Sequence, residues 1–241
     1  METTQDSTFT FTSDEIAQKI ILTISAIAFD FDFVTSDTSK SRADEIRVLL
    51  VKNKKPPKRS KEGKPGGIGL PTGQLESKEG MLDALKRETR DESGCLVKRI
   101  VGKFFVINKL VEVDGEPVPN EIHIFLIEAS EPINKVREVD EIDGSVEPWI
   151  TLRQAFEMPR AQDKNGGNKN PNGIYFSHLE RLHRAIDSMI HAPEEELIDG
   201  KATKEWLAPN RRHLKAAMTD LWQEGLLNEF LPKDDPGEAN V

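Results

Sequence analysis

The chain has 241 residues and only one cysteine, Cys95. A single thiol excludes an intramolecular disulfide framework and a multi-cysteine zinc site, and it fits a reducing compartment. The five histidines (His123, His178, His183, His191, His213) are scattered and make no metal-ligand spacing. His178 and His183 read as surface or packing residues. Met1 to Glu15 carries Glu2, Asp6, Asp14 and Glu15 but no basic residue, so we expect no signal peptide. The longest apolar run, Ile20 to Phe29, falls far short of the roughly 20 residues that a membrane span needs. Internal repeats and low-complexity tracts are absent. These absences predict a cytoplasmic protein with no membrane partner. Cations are also in deficit, giving a net charge of −9. That surplus of acid argues against a surface that coats DNA, RNA or anionic lipid, although a local basic patch stays compatible with it.

The length suits one large domain or one domain with an appendage. Residues 1–15, rich in Thr and Ser, read as a flexible tail. Residues 20–34 and Ile46 to Val51 are β-branched and apolar and predict two neighbouring strands. Glu79 to Glu92 predicts a helix that Gly94 caps. Val101 to Val113 and Glu121 to Glu128 predict a hairpin around Gly115 to Pro119. Trp149 to Leu152 predicts a short strand and Leu152 to Met158 a short helix. Ser177 to Glu180 reads as a capping box ahead of the stripe Leu179, Leu182, Ile186 and Ile190. Residues 193–241 read as a helical C-terminal extension with the stripe Leu214, Met218 and Leu221. Trp206, Trp222 and Phe230 are expected to pack it on the domain or on a partner. This order predicts an α/β layered fold.

Between Lys52 and Lys64 stand seven cations and one acid, Glu62, with Pro56 and Pro57 forbidding a regular helix. The loop leads through glycines into the segment that carries chemistry, Gly73 to Cys95. On a helix, Glu88, Asp91 and Glu92 share one face. Their mutual repulsion is relieved if a hard divalent cation such as Mg²⁺ sits among them, with water and substrate phosphate completing its oxygen shell. The alternative is a solvated acidic face balanced by Arg87 and Arg90.

The wider spacing resembles the Nudix hydrolase family, whose box reads G-x5-E-x7-R-E-U-x-E-E-x-G-U, with U a bulky aliphatic residue. Gly73, Glu79, Arg87, Glu88, Glu92 and Gly94 match it. Asp91 stands where the family has the first Glu of its final pair. Thr89 and Cys95 occupy the two U positions, and Thr72 departs from the usual Leu-Pro-Gly-Gly. The strand order extends the resemblance over about residues 16–192.

The resemblance implies a Nudix-like α/β/α sandwich with a mixed sheet. It implies hydrolysis of a nucleoside diphosphate linked to another group, with Mg²⁺ or Mn²⁺ as cofactor. Glu88 and Glu92 would be metal ligands and catalytic residues. Asp91 would be an auxiliary ligand, direct or through water. Arg87 would hold Glu79 and the loop, and Gly73 and Gly94 would shape the backbone. The general base would be Glu88 or, from a later loop, Glu141 or Glu138. Lys58, Arg59, Lys61 and Lys64 are candidates for drawing in a polyanionic substrate. A homodimer is common in the family. The family signatures that mark ADP-ribose, diadenosine polyphosphate and NADH substrates are all missing. A silent nucleotide sensor is the rival reading, and an RNA 5′-end hydrolase a weaker one.

Overall fold

The computed structural model describes residues 20–36, 39–53, 67–113, 115–133, 147–161, 170, 172–191 and 201–230. The expected tail at residues 1–15 lies outside them. Eight strands are described: β1 (Ile21–Asp30), β2 (Arg47–Leu49), β3 (Val51–Lys52), β4 (Ile68–Gly69), β5 (Thr72–Gln74), β6 (Val97–Val113), β7 (Glu116–Ala129) and β8 (Trp149–Thr151). The helices are α1 (Arg42–Glu45), α2 (Met81–Ser93), α3 (Leu152–Glu157), α4 (Phe176–His191) and α5 (Lys201–Gln223).

The main sheet runs β6-β7-β1-β2-β8, with β5 also paired to β1. Only β1 and β7 are parallel; the other pairs are antiparallel, so the sheet is mixed. Alternation along β1 explains the layers, since successive side chains leave opposite faces. Ile24, Ala26 and Ala28 pack with Ala84 and Leu85 of α2 and with Phe125 and Ile127 of β7. Ile27 and Phe29 face the other way, into a core shared with Ile122, Ile124 and Leu126 and with Leu179, Leu182 and Ile186 of α4. Helices therefore cover both faces, and the fold is the expected α/β sandwich. The C-terminal α5 joins the second core through Trp206, Leu207, Leu214, Ala217 and Leu221. Asp220 ties α5 to the start of α1, accepting from the Ser41 hydroxyl at 2.8 Å and the Arg42 N–H at 2.9 Å.

Several elements differ from the sequence reading for identifiable reasons. The first strand ends at Asp30, whose carboxylate accepts from the backbone of Asp32 and turns the chain. The hairpin strands are longer than expected, and Pro117 and Pro119 lie inside β7. Proline is tolerated there because the pairing of β1 with β7 begins only at Asn120, which leaves that end of β7 an edge. Helix α4 begins at Phe176, so Ser177 sits within its first turn rather than capping it. Trp206 is buried, whereas Trp222 is 57 % exposed. Among the described residues no helix is long and apolar enough to cross a membrane.

Because Leu214 is fully buried in the core shared by the sheet and α4, Leu214→Ala is expected to cost about 2–5 kcal/mol. Urea denaturation should show one cooperative transition moved to lower urea. An unchanged midpoint would mean that α5 is not part of the core.

Candidate active site

Strand β5, the turn after it and helix α2 bring the box residues together. Gly80 caps the helix start, so Glu79 lies before it, next to Lys78 in a left-handed conformation (φ 68°). That turn aims Glu79 at Arg87. The Arg87 guanidinium donates to both Glu79 oxygens at 2.8 Å, to Glu88 Oε1 at 2.7 Å and to the Gln74 carbonyl at 3.1 Å. One cation thus ties the helix to the preceding loop and strand. A bidentate Arg–carboxylate pair is among the strongest side-chain contacts. It holds the Glu79 carboxyl down at about 2 and raises the Arg87 guanidinium. At the other end Gly94 adopts φ 74° and returns its N–H to the Arg90 carbonyl at 2.8 Å, which turns Cys95 into the core.

Glu88 and Glu92, one helical turn apart, reach adjacent residues of β5. The Glu88 carboxylate occupies the space where a Cβ on Gly73 would stand, so any side chain at that position would overlap it. Glu92 Oε2 accepts from the Thr72 N–H at 2.8 Å. Burial pushes the Glu88 carboxyl up despite Arg87, and the charges of Asp91 and Glu79 push the same way. The site is therefore a desolvated, negative corner.

Thr72 uses its side chain to hold the loop. Its hydroxyl donates to the Leu70 carbonyl at 2.9 Å and shares a 2.8 Å hydrogen bond with Ser25 of β1. Thr89 is fully buried at a position the family fills with an aliphatic residue, and its hydroxyl is satisfied by the Leu85 carbonyl at 2.7 Å. Asp91 instead pairs with Arg90 at 2.8 Å and is 41 % exposed. Lys58, Arg59, Lys61, Lys64, Glu138 and Glu141 lie outside the described residues.

His178 was not legible as a site residue. Its Nδ1 accepts from the Leu70 N–H at 2.9 Å. A Cβ on Gly69 would come within 2.6 Å of that nitrogen. Burial drives the imidazole well below its usual range, so it stays neutral and keeps accepting. With 108 residues between the partners, no spacing signal could have found this contact.

Among the described residues no group of three or more His, Cys, Asp or Glu converges as a metal cage. The Glu88–Glu92 pair nevertheless suits Mg²⁺. That ion is commonly held by one or two carboxylates, with waters and substrate phosphates completing its octahedron.

The sequence model of the NUDIX domain matches residues 38–169. Among solved structures, the chain is similar to the MutT NUDIX hydrolase of Burkholderia pseudomallei, at 19 % identity over 68 % of this chain and 96 % of that one, with a TM-score of 0.43. It is also similar to Shewanella oneidensis NrtR, at 14 % identity over 89 % and 88 % of the two chains, TM-score 0.42. The NUDIX domain of that NrtR, solved with ADP ribose, aligns at 16 % identity over 74 % and 99 %, TM-score 0.41. No curated protein matches the chain.

The Glu79–Arg87 clasp has a defined pH signature. A carboxyl depressed from 4.5 to about 2 contributes stability that is fully present above pH 4.5 and lost as pH falls towards 2. Glu79→Gln is therefore expected to melt below the wild type at pH 7, with the gap in Tm closing over that window. A gap that is constant with pH would mean the clasp carries no charge-linked stability.

Proposed function

The chain belongs to the NUDIX domain family and is a hydrolase of phosphoanhydride bonds, and from that premise we propose that it is a Mg²⁺-dependent pyrophosphohydrolase acting on a nucleoside diphosphate linked to another moiety. Mn²⁺ is the alternate ion, and the reducing cytoplasm the compartment that the lone Cys95 suits. The observation that carries the reading is the convergence of Glu88 and Glu92 on the backbone of Thr72 and Gly73.

When bound, the ion neutralises phosphate oxygens and lowers the pKa of water. Glu92 and Glu88 are the residues that would hold it; Asp91, which pairs with Arg90 in the free protein, would act as an auxiliary ligand through water. The chain's remaining work is to position these groups. Arg87 fixes the Glu88 side chain by one oxygen and Glu79 by two, so neither rotates away when charge changes at the site. Water attacks one phosphorus, the bond from that phosphorus to the bridging oxygen breaks, and the oxygen leaves with the departing fragment. The proton of the attacking water goes to a general base, for which Glu88 is the candidate within the box. Glu141, which rests on the family pattern alone, is the second candidate for that role. Lys58, Arg59, Lys61 and Lys64, which precede the box in the sequence, would concentrate polyanionic substrate by their positive charge.

Glu92→Gln removes a ligand charge while keeping shape and the acceptor for the Thr72 N–H. It is expected to lower Mg²⁺-dependent kcat by about 100-fold or more, on the scale of losing a group that stabilises transition-state charge, with Tm within a few degrees of wild type. Release of phosphate or nucleotide from a nucleotide panel reads it. Wild-type protein inert on the whole panel with both Mg²⁺ and Mn²⁺ would replace this reading with that of a silent nucleotide sensor.

A further inference from the structure

The sheet face under α4 changes character at one end. Towards Asp30, β1 presents Ile27 and Phe29 to the core, but towards Ile21 the same face carries Thr23 and Ser25. Ser25 is bonded to Thr72 beside the catalytic pair. The Thr23 hydroxyl donates to Asn120 Oδ1 at 2.9 Å. Asn120 in turn pairs in register with Lys109 of β6. Thr23, Ser25 and Asn120 are all buried, so a strip of hydroxyl and amide groups runs from the box loop to a lysine. At about 3.4 Å per residue and 4.8 Å per strand, the strip from Ser25 to Lys109 spans roughly 17 Å.

Near the Lys109 end of this strip lies a buried guanidinium that is incompletely satisfied among the described residues. Arg184 of α4 stacks its guanidinium over Phe105 of β6 at 4.3 Å. One turn earlier stands Arg181, only 5 % exposed, and its buried Nη1 has no hydrogen-bond partner among the described residues. The charges within range do not compensate it. Lys109 repels it, His178 is neutral, and the attraction of Glu180 leaves the guanidinium pushed down to about 10 by burial. A buried charge with an unfilled donor costs a protein several kcal/mol, and a fold has no use for one. A phosphoryl group would satisfy the Nη1 donor and bring Arg181 and Lys109 together on one dianion.

We propose that Arg181, assisted by Lys109, binds a phosphate of the substrate other than the two flanking the scissile bridge, so that the enzyme prefers nucleoside diphosphate derivatives bearing an additional phosphate. This rests on the hydrolase reading above and narrows its substrate class. Arg181 touches substrate but not the reacting atoms. It is covered in the free protein, so binding includes a side-chain shift of the kind common at interfaces.

The test uses probe pairs that differ by one phosphate: coenzyme A against dephospho-coenzyme A, and NADP against NAD. Binding is measured by calorimetry without divalent metal, where no turnover occurs. Wild type is expected to bind the phosphate-bearing member of at least one pair 10-fold or more tightly. Arg181→Met should lose that preference, Arg181→Lys should keep part of it, and Glu92→Gln should keep all of it. Arg181→Met should also melt at or above the wild-type Tm, since it removes an uncompensated charge. Equal affinity for both members of each pair in wild type, or a preference that survives in Arg181→Met, overturns the proposal. So does a fall of many degrees in the Tm of Arg181→Met, which would make the guanidinium a structural group. Hydrolysis of the same probes with Mg²⁺ is scored separately. Preferential binding without turnover would support the role of Arg181 while removing the hydrolase assignment for these compounds.

Discussion

The molecule is organised around a concentration of negative charge that a single cation holds in place. Glu79 and Glu88 both lean on Arg87, while Glu92 leans on the Thr72 backbone. Without these anchors, carboxylates crowded on one helix face would turn outward to water, where their repulsion is screened. The anchors hold them inward instead, against β5, at the cost of desolvating Glu88. Arg87 offsets part of that cost through its 2.7 Å hydrogen bond to Glu88, and burial still leaves the Glu88 carboxyl pushed up.

The central strand β1 links this corner to the rest of the protein. One of its faces carries Ile24, Ala26 and Ala28 into the packing of α2, which sets the height of the acidic helix. Its other face passes from the apolar core under α4 to the polar strip at Thr23 and Ser25. The hydrogen bond from Ser25 to Thr72 joins the two. On this face the departure at Thr72 is compensated, because the added side chain finds two oxygen partners rather than a void. His178 braces the same loop from α4, so helices on opposite faces of the sheet act on Leu70 and Thr72, on either side of Pro71.

Two arginines, Arg87 half-buried and Arg181 buried, contrast in how they are treated. Arg87 is surrounded by acceptors and its charge is reinforced, which is how a structural cation behaves. Arg181 has its charge weakened and one donor left over.

The local parts of this account were legible in the sequence because they depend on short spacings. The helix at residues 81–93, its glycine stop, the Arg87–Glu79 interval and the shared face of Glu88 and Glu92 all follow from 3.6-residue periodicity and cap chemistry, which act within one or two turns. The longer strands followed from β-branched runs, with errors at their ends, at Asp30 and at Pro117 and Pro119, where pairing rather than propensity decides the boundary; the short, glycine-containing β4 and β5 were read as loop, because pairing with β3 and β1 rather than local composition makes them strands. Only the tertiary structure decided that Asp91 turns to Arg90, that His178 supports Leu70, and that Arg181 is buried over Lys109. The last two depend on which strand lies beside which, and contacts between residues 70 to 110 positions apart leave no periodic trace in the chain; the first is a side-chain choice between chain neighbours.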